Sequence, residues 1–170
     1  MSTKRSKHRR WLIWGAEILF FVVLFFAVKA WVQRDMISGE APTLAGIDLH
    51  GQEISLADYR GQTVLVHFWA TWCRICRLEQ GSIESLSRSW PVLTVATQSG
   101  EVDELIEHMA ANDLTHLVIP DPDGRLAASY GVRGVPASFV VDADGEIRFR
   151  ETGFTTNWGL RARLWMARVF

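Results

Sequence analysis

Residues 64–77 read VLVHFWATWCRICR, and this stretch decides the fold. Val64 to Trp69 is an unbroken run of aliphatic, β-branched and aromatic side chains, the pattern of a strand covered on both faces. From Cys73 to about Arg88 the periodicity turns helical, with Ile75, Leu78, Ile83 and Leu86 as the apolar positions. Cys73 and Cys76 therefore stand where a buried strand gives way to a helix. The unpaired N–H groups of a first helical turn favour a thiolate over a thiol, and Arg74 and Arg77 add positive charge nearby. A spacing of three puts both sulfurs on one helix face, close enough to bond. Cys73 is then the exposed nucleophile that attacks a disulfide, and Cys76, one turn in, resolves the mixed disulfide.

Both cysteines of the chain lie in this one motif. They make no framework of the kind that staples small secreted domains, and a lone close pair reads as a reactive centre. Haem attachment requires a histidine directly after the second cysteine, where Arg77 stands. A structural zinc site requires two further ligands at regular spacing, and His67, His108 and His116 form no second tight pair. No metal or other cofactor is expected.

Strand and helix patterns alternate outward from the motif. Leu44 to Leu56 reads as two short strands around His50-Gly51-Gln52, and Asp58 to Gln62 as a turn. Val92 to Ala96 is a second buried strand, and Glu101 to Ala111 a helix with acids in its first turn. Leu117 to Ile119 is a short strand, followed by the turn Asp121-Pro122-Asp123-Gly124 and a short helix from Arg125 to Tyr130. Ala137 to Val141 and Glu146 to Glu151 make a hairpin about Asp142-Ala143-Asp144-Gly145, and Asn157 caps a last helix to Arg168. The expected architecture is an α/β layered domain.

The N-terminal part is different in kind. Residues 1–10 carry Lys4, Arg5, Lys7, Arg9 and Arg10 and no acid, as a basic cytoplasmic tail would. Trp11 to Val28 is an apolar run broken only by Gly15 and Glu17; extended through Lys29 to Val32 it gives a segment, 11–32, of about 22 residues with Trp11, Trp14 and Trp31 near its ends, enough to cross a bilayer as a single helix. The positive-inside rule leaves the N-terminus in the cytoplasm and exports the rest. A cleaved signal peptide, with Val28 and Ala30 as its small residues, is the rival reading, although the run exceeds the usual signal core. Residues 33–41 read as a polar linker and 42–170 as the catalytic domain. From Glu40 onward there are 11 Lys/Arg against 17 Asp/Glu, a net charge of −6, which argues against nucleic acid as a partner.

VLVHFWATWCRICR resembles the active-site strand and helix start of thioredoxin-like proteins. Together with DPDGRLA, ASYGVRGVPASFVVDADGEI and Glu79, three residues after Cys76, it is similar to the TlpA/ResA/DsbE-type membrane-tethered branch over about Pro42 to Thr152. The resemblance implies a thioredoxin-like fold, a mixed central sheet flanked by helices with an N-terminal strand pair, preceded by one transmembrane helix. It implies that Pro136 is a cis-proline facing the cysteines. The backbone of Val135 would then be free to pair with an extended substrate, with Trp72 beside it. It places Glu79 near the buried thiol as a proton relay. His67 stands where thioredoxins have an aspartate, and it would either exchange a proton near neutral pH or serve as a hydrogen-bonded core histidine.

Two departures are informative. Gly81 occupies the place of a helix-kinking proline, and Arg74-Ile75 lacks the common proline between the cysteines, so the motif does not reveal redox direction. The reading that results is an oxidoreductase of exported protein disulfides in the periplasm, tethered to a bacterial inner membrane. It would act chiefly as a reductant re-reduced by a membrane thiol reductase, in copper tolerance or cytochrome c maturation. The alternative is a membrane-anchored metallochaperone that holds Cu(I) on the same thiols, with His116 as a weak third ligand. A peroxidase on this fold would carry a Thr-Pro loop before its cysteine, absent before Cys73.

Overall fold

A computed structural model describes residues 4–170, with the side chains of 4–10, 12, 29 and 32 left undescribed; the basic tail expected at 1–10 therefore falls largely outside the described residues. The chain divides at Arg34/Asp35 into two units. The first is one helix, α1 (Lys4–Gln33), whose described apolar side chains stand exposed, Phe20 against Phe21 and Phe25 against Phe26 edge to face. Among the described residues no helix is long and apolar enough to cross a membrane.

The second unit is built around β4 (Val64–Trp69), buried at all six positions. Its odd and even residues serve different layers. Val64, Val66 and Phe68 enter one core with Leu93, Val95, Tyr130 and Phe139, while Leu65 enters another with Ile83, Leu86, Leu160 and Leu164. That two-sided burial is why the strand shows no polar alternation. In the first core, Phe68, Tyr130 and Phe139 pack as a triangle with ring centroids 5.1–5.9 Å apart.

The other elements follow in order: β1 (Gly39–Glu40), β2 (Ala45–Ile47), β3 (Glu53–Ser55), α2 (Arg74–Ser87) after β4, β5 (Val92–Thr97), α3 (Val102–Ala111), β6 (Val118–Asp121), α4 (Arg125–Ser129), β7 (Ala137–Val141), β8 (Glu146–Thr152) and α5 (Asn157–Val169). Six strands form a mixed sheet in the order β1-β8-β7-β4-β5-β6. β4 runs parallel to β5 and antiparallel to β7. β2 and β3 pair separately as the N-terminal strand pair. Their turn is held by Asp48, whose Oδ1 accepts the N–H groups of His50 and Gln52, both at 2.8 Å. The β7–β8 turn uses the same device, Asp142 Oδ1 accepting from Asp144 and Glu146.

Three details depart from the sequence expectations. The stretch read as a linker, 33–41, sends Met36 into the main core and pairs Gly39–Glu40 with β8. Gly131 makes room for it: its φ is +67°, and a side chain there would collide with the Asp35 carbonyl. Second, α5 is capped by Thr156, whose Oγ1 accepts the Gly159 N–H at 3.2 Å. Asn157 is instead the first helical residue, and its side-chain amide donates to the Ser82 carbonyl at 3.0 Å. Third, Ile75 and Leu78, expected as apolar positions of α2, face solvent, and Leu78 is 74% exposed. The buried face of α2 is Cys76, Glu79, Gln80, Ile83, Glu84 and Leu86, so it carries two acids and only two of the four expected apolar positions. α2 runs unbroken through Gly81.

Candidate active site

The edge of the sheet where β4 ends delivers Trp69-Ala70-Thr71-Trp72 and then Cys73, the N-cap of α2. Cys73 and Cys76 are joined as a disulfide. Cys73 Sγ accepts the N–H of Cys76 at 3.1 Å, so the sulfur is aimed at the open first turn, where α2 supports negative charge. The two sulfurs are unequal: Cys73 is 6% exposed and Cys76 1%. Only the former can be approached from outside without displacing the helix.

Three of the other residues singled out from sequence border this pair. The Val135–Pro136 peptide bond is cis, and the Val135 carbonyl oxygen lies 3.6 Å from Cys73 Sγ. Pro136 is buried, and its carbonyl accepts the Gly153 N–H at 2.8 Å. Trp72 is 61% exposed, and its indole N–H donates to the Gln98 carbonyl at 2.9 Å. A hollow of about 150 Å³ lies between Trp72, Gln98, Gly134 and Val135.

Glu79 is buried one turn beyond Cys76 on the same face. One carboxyl oxygen accepts the Thr155 N–H from the segment before α5, while Oε2 has no hydrogen-bond partner among the described residues. Burial pushes its pKa up to about 7, against the smaller downward pull of the Thr155 N–H. A carboxyl raised in this way makes folding pH-dependent, with a definite sign. Its stabilisation is complete below the unfolded value of 4.5 and is lost as pH rises through about 7. Glu79→Gln is therefore expected to flatten the fall in unfolding free energy over that interval, a gain of about 2–3 kcal/mol at about pH 8. Urea titrations of both proteins across the interval measure it, and an unchanged slope contradicts it.

His67 lies within β4 opposite Ser138 of β7, and its Nδ1 is 2.9 Å from Ser138 Oγ. Burial, with a smaller contribution from His116, pulls its pKa down to about 3. That direction disfavours a charged imidazole, and the contact with Ser138 is the one a hydrogen-bonded core histidine would make.

Behind the disulfide lies a cluster that sequence reasoning missed. Trp69 donates to Thr94 Oγ1 at 3.1 Å and stacks at a tilt on His108, centroids 5.4 Å apart. His108 Nε2 is 2.8 Å from Gln80 Nε2. Glu84, one turn further along α2, accepts from the backbone and hydroxyl of Thr115 and from the backbone and Nδ1 of His116, at 2.7–3.1 Å. Burial alone would raise the Glu84 pKa, but these four bonds outweigh it and hold the group at about 2. Burial also lowers the His116 pKa, more than Glu84 raises it, so a neutral imidazole donates to a carboxylate there. Neither this clasp nor the Thr155–Glu79 contact leaves a local sequence signature, since the partners are 31 to 76 residues apart. Among the described residues no group of three or more His, Cys, Asp or Glu could hold a metal ion.

The AhpC/TSA family pattern matches residues 37–150. A DsbE thiol:disulfide interchange protein of Pseudomonas fluorescens is 31% identical over 153 residues, covering 85% of this chain and 86% of its own. A ResA thiol-disulfide oxidoreductase of Bacillus thuringiensis is 32% identical over 127 residues, 72% of each chain. Among solved structures, a DsbE-type thiol:disulfide interchange protein of Chlorobium tepidum superposes with a TM-score of 0.69 at 26% identity. It covers 78% of this chain and 98% of its own.

Proposed function

We propose, from the premise that this chain belongs to the AhpC/TSA family and within it is a thiol-disulfide oxidoreductase of ResA/DsbE type, that it reduces disulfides of exported proteins. In the forward reaction the Cys73 thiolate attacks a client disulfide and releases one client thiolate. The Cys76 thiol loses its proton and attacks Cys73 Sγ. The second client thiolate leaves, and the Cys73–Cys76 disulfide remains. The client takes up two electrons and two protons; a membrane thiol reductase returns them to this pair. The single observation that carries the reading is the placement of Cys73 Sγ, on the helix N-terminus and 3.6 Å from the Val135 carbonyl. An extended client chain lying along Val135 and the Trp72 hollow brings its disulfide to that sulfur, recognised through backbone rather than side chains.

The reductive direction is supported by Glu79. A buried carboxyl one turn from Cys76 opposes a second negative charge in the reduced pair, which favours giving up electrons. Glu79 also takes up and returns the Cys76 proton, while His67 stays a structural, neutral ring. The apolar run 11–32 supports a single-pass anchor in the inner membrane with the catalytic domain in the periplasm, and the tasks that fit are cytochrome c maturation or copper tolerance.

The first experiment is the equilibrium potential of the Cys73–Cys76 couple, titrated against dithiothreitol or glutathione. A value near thioredoxin's, about −270 mV, is expected; a value toward about −120 mV makes the protein an oxidant and overturns the direction. The Cu(I)-carrier alternative shares the two thiols, but His116, its third ligand, is already committed to Glu84. Stoichiometric Cu(I) on the reduced protein with no reversible couple would establish that alternative instead.

A further inference from the structure

The outer side of α5 carries an apolar surface that the fold does not use. Leu160, Leu164 and Ala167 bury against the sheet. On the opposite side Trp158, Trp165 and Phe170 are 82%, 57% and 83% exposed. Trp158, Ala162, Trp165 and Val169 succeed one another at steps of four, three and four, so they form one stripe along the helix, with Met166 and Phe170 beside it. The charges on this helix are one-sided. Arg161, Arg163 and Arg168 are accompanied by no acid, in a part of the chain that is net acidic. Arg163 is neutralised by Glu151 at 2.8 Å. Arg161 donates to the neutral oxygens of Asn157, Ser85 and Ser89, and Arg168 lies over the Trp90 ring at 5.9 Å. Neither of these contacts involves an acid, and at helical spacing both arginines line the same edge of the stripe.

We infer that the outer face of α5 rests on the surface of an anionic bilayer. Two outward indoles on a ridge of apolar side chains, edged by arginines and free of acids, match the headgroup boundary, where tryptophan partitions and cations meet lipid phosphate. The inference rests on the anchor proposed for residues 11–32. Once tethered, the domain needs only a weak surface contact, because the bilayer is at high effective concentration. The contact would hold the domain with one constant face toward the membrane that also carries its electron donor.

The test uses the full chain in the Cys73→Ser/Cys76→Ser background, reconstituted in nanodiscs containing lipid spin-labelled near the headgroup. An environment-sensitive fluorophore is placed at Ala162→Cys or, as control, at Ser129→Cys on α4, which packs against the opposite face of the sheet. Several-fold stronger quenching at 162 than at 129 is expected in phosphatidylglycerol-rich discs. It should weaken in pure phosphatidylcholine or high salt, and fall to the control level with Trp158→Ser/Trp165→Ser while circular dichroism is unchanged. Equal quenching at both sites, with the chain embedded in the discs, overturns the membrane contact and leaves the anchor reading intact. A chain that does not enter the discs overturns both. No quenching, together with a concentration-dependent mass increase that the double variant removes, assigns the stripe to a second copy and overturns the inference.

Discussion

The Cys76→Ser variant accumulates mixed disulfides with its clients through Cys73, whereas Cys73→Ser captures none and loses turnover by a factor on the order of 10³ or more. The asymmetry follows from the two sulfurs' positions. Cys73 is the N-cap of α2, with its Sγ accepting the Cys76 N–H and facing the Val135 carbonyl, where a client strand would run. Cys76 is 1% exposed and can reach only Cys73. Without Cys76 the first exchange proceeds and the second cannot, so the covalent complex persists. Non-reducing gels of membranes carrying each variant, followed by mass spectrometry of the trapped species, give the result. Equal trapping by both variants would mean that Cys76 is reachable and that the assignment of nucleophile is wrong. The trapped species also identify the clients.

Glu84→Ala is expected to cost about 3 kcal/mol of stability at neutral pH, the largest loss expected from a single polar side chain here. The carboxylate accepts from four donors of Thr115 and His116, of which those of His116 are buried, and it ties α2 to the segment entering β6. Linkage gives the same size. A folded pKa of about 2 against 4.5 unfolded stabilises the protein above the unfolded value, and that stabilisation is lost as pH falls from 4.5 through about 2. Glu79 works in the opposite sense and loses its contribution as pH rises through about 7. The wild type should therefore be most stable between the two, in mildly acidic solution, with Glu84→Ala flattening the acid limb and Glu79→Gln the neutral one. Thermal denaturation across pH measures both limbs. An acid limb unchanged in Glu84→Ala would show that the four hydrogen bonds contribute little beyond those the unfolded chain makes to water.

Much of this molecule was legible because its signals are local. β4 is a run of six apolar or aromatic residues save His67, and no other element of this size can bury such a run on both faces. The turns at Asp48 and Asp142 are made by carboxylates bonding to backbone two and four residues on, an interaction contained within the turn itself. The Cys73–Cys76 bond needs only a spacing of three at a helix start. Where local reading failed, packing decided. Ile75 and Leu78 have the composition of core residues, yet α2 turns that side to solvent, because Glu79 and Glu84 find backbone donors from distant segments on the other. Met36 lies in a polar stretch and becomes core because Gly131 lets the chain pass close.

The sequence by itself determined the reactive pair, the strand and helix that carry it, and the family to which the chain belongs. All of these depend on residues within a few positions of one another or on motifs in a given order. Tertiary structure alone decided which side of α2 is buried, that His67 meets Ser138, and that Glu79 is buried with Thr155 as its backbone donor. It also decided that α5 presents its tryptophans outward. The physical reason is that a side chain's charge state and exposure are set by the dielectric and the donors around it. Those come from strands and loops many residues away, which are brought together only when the sheet closes.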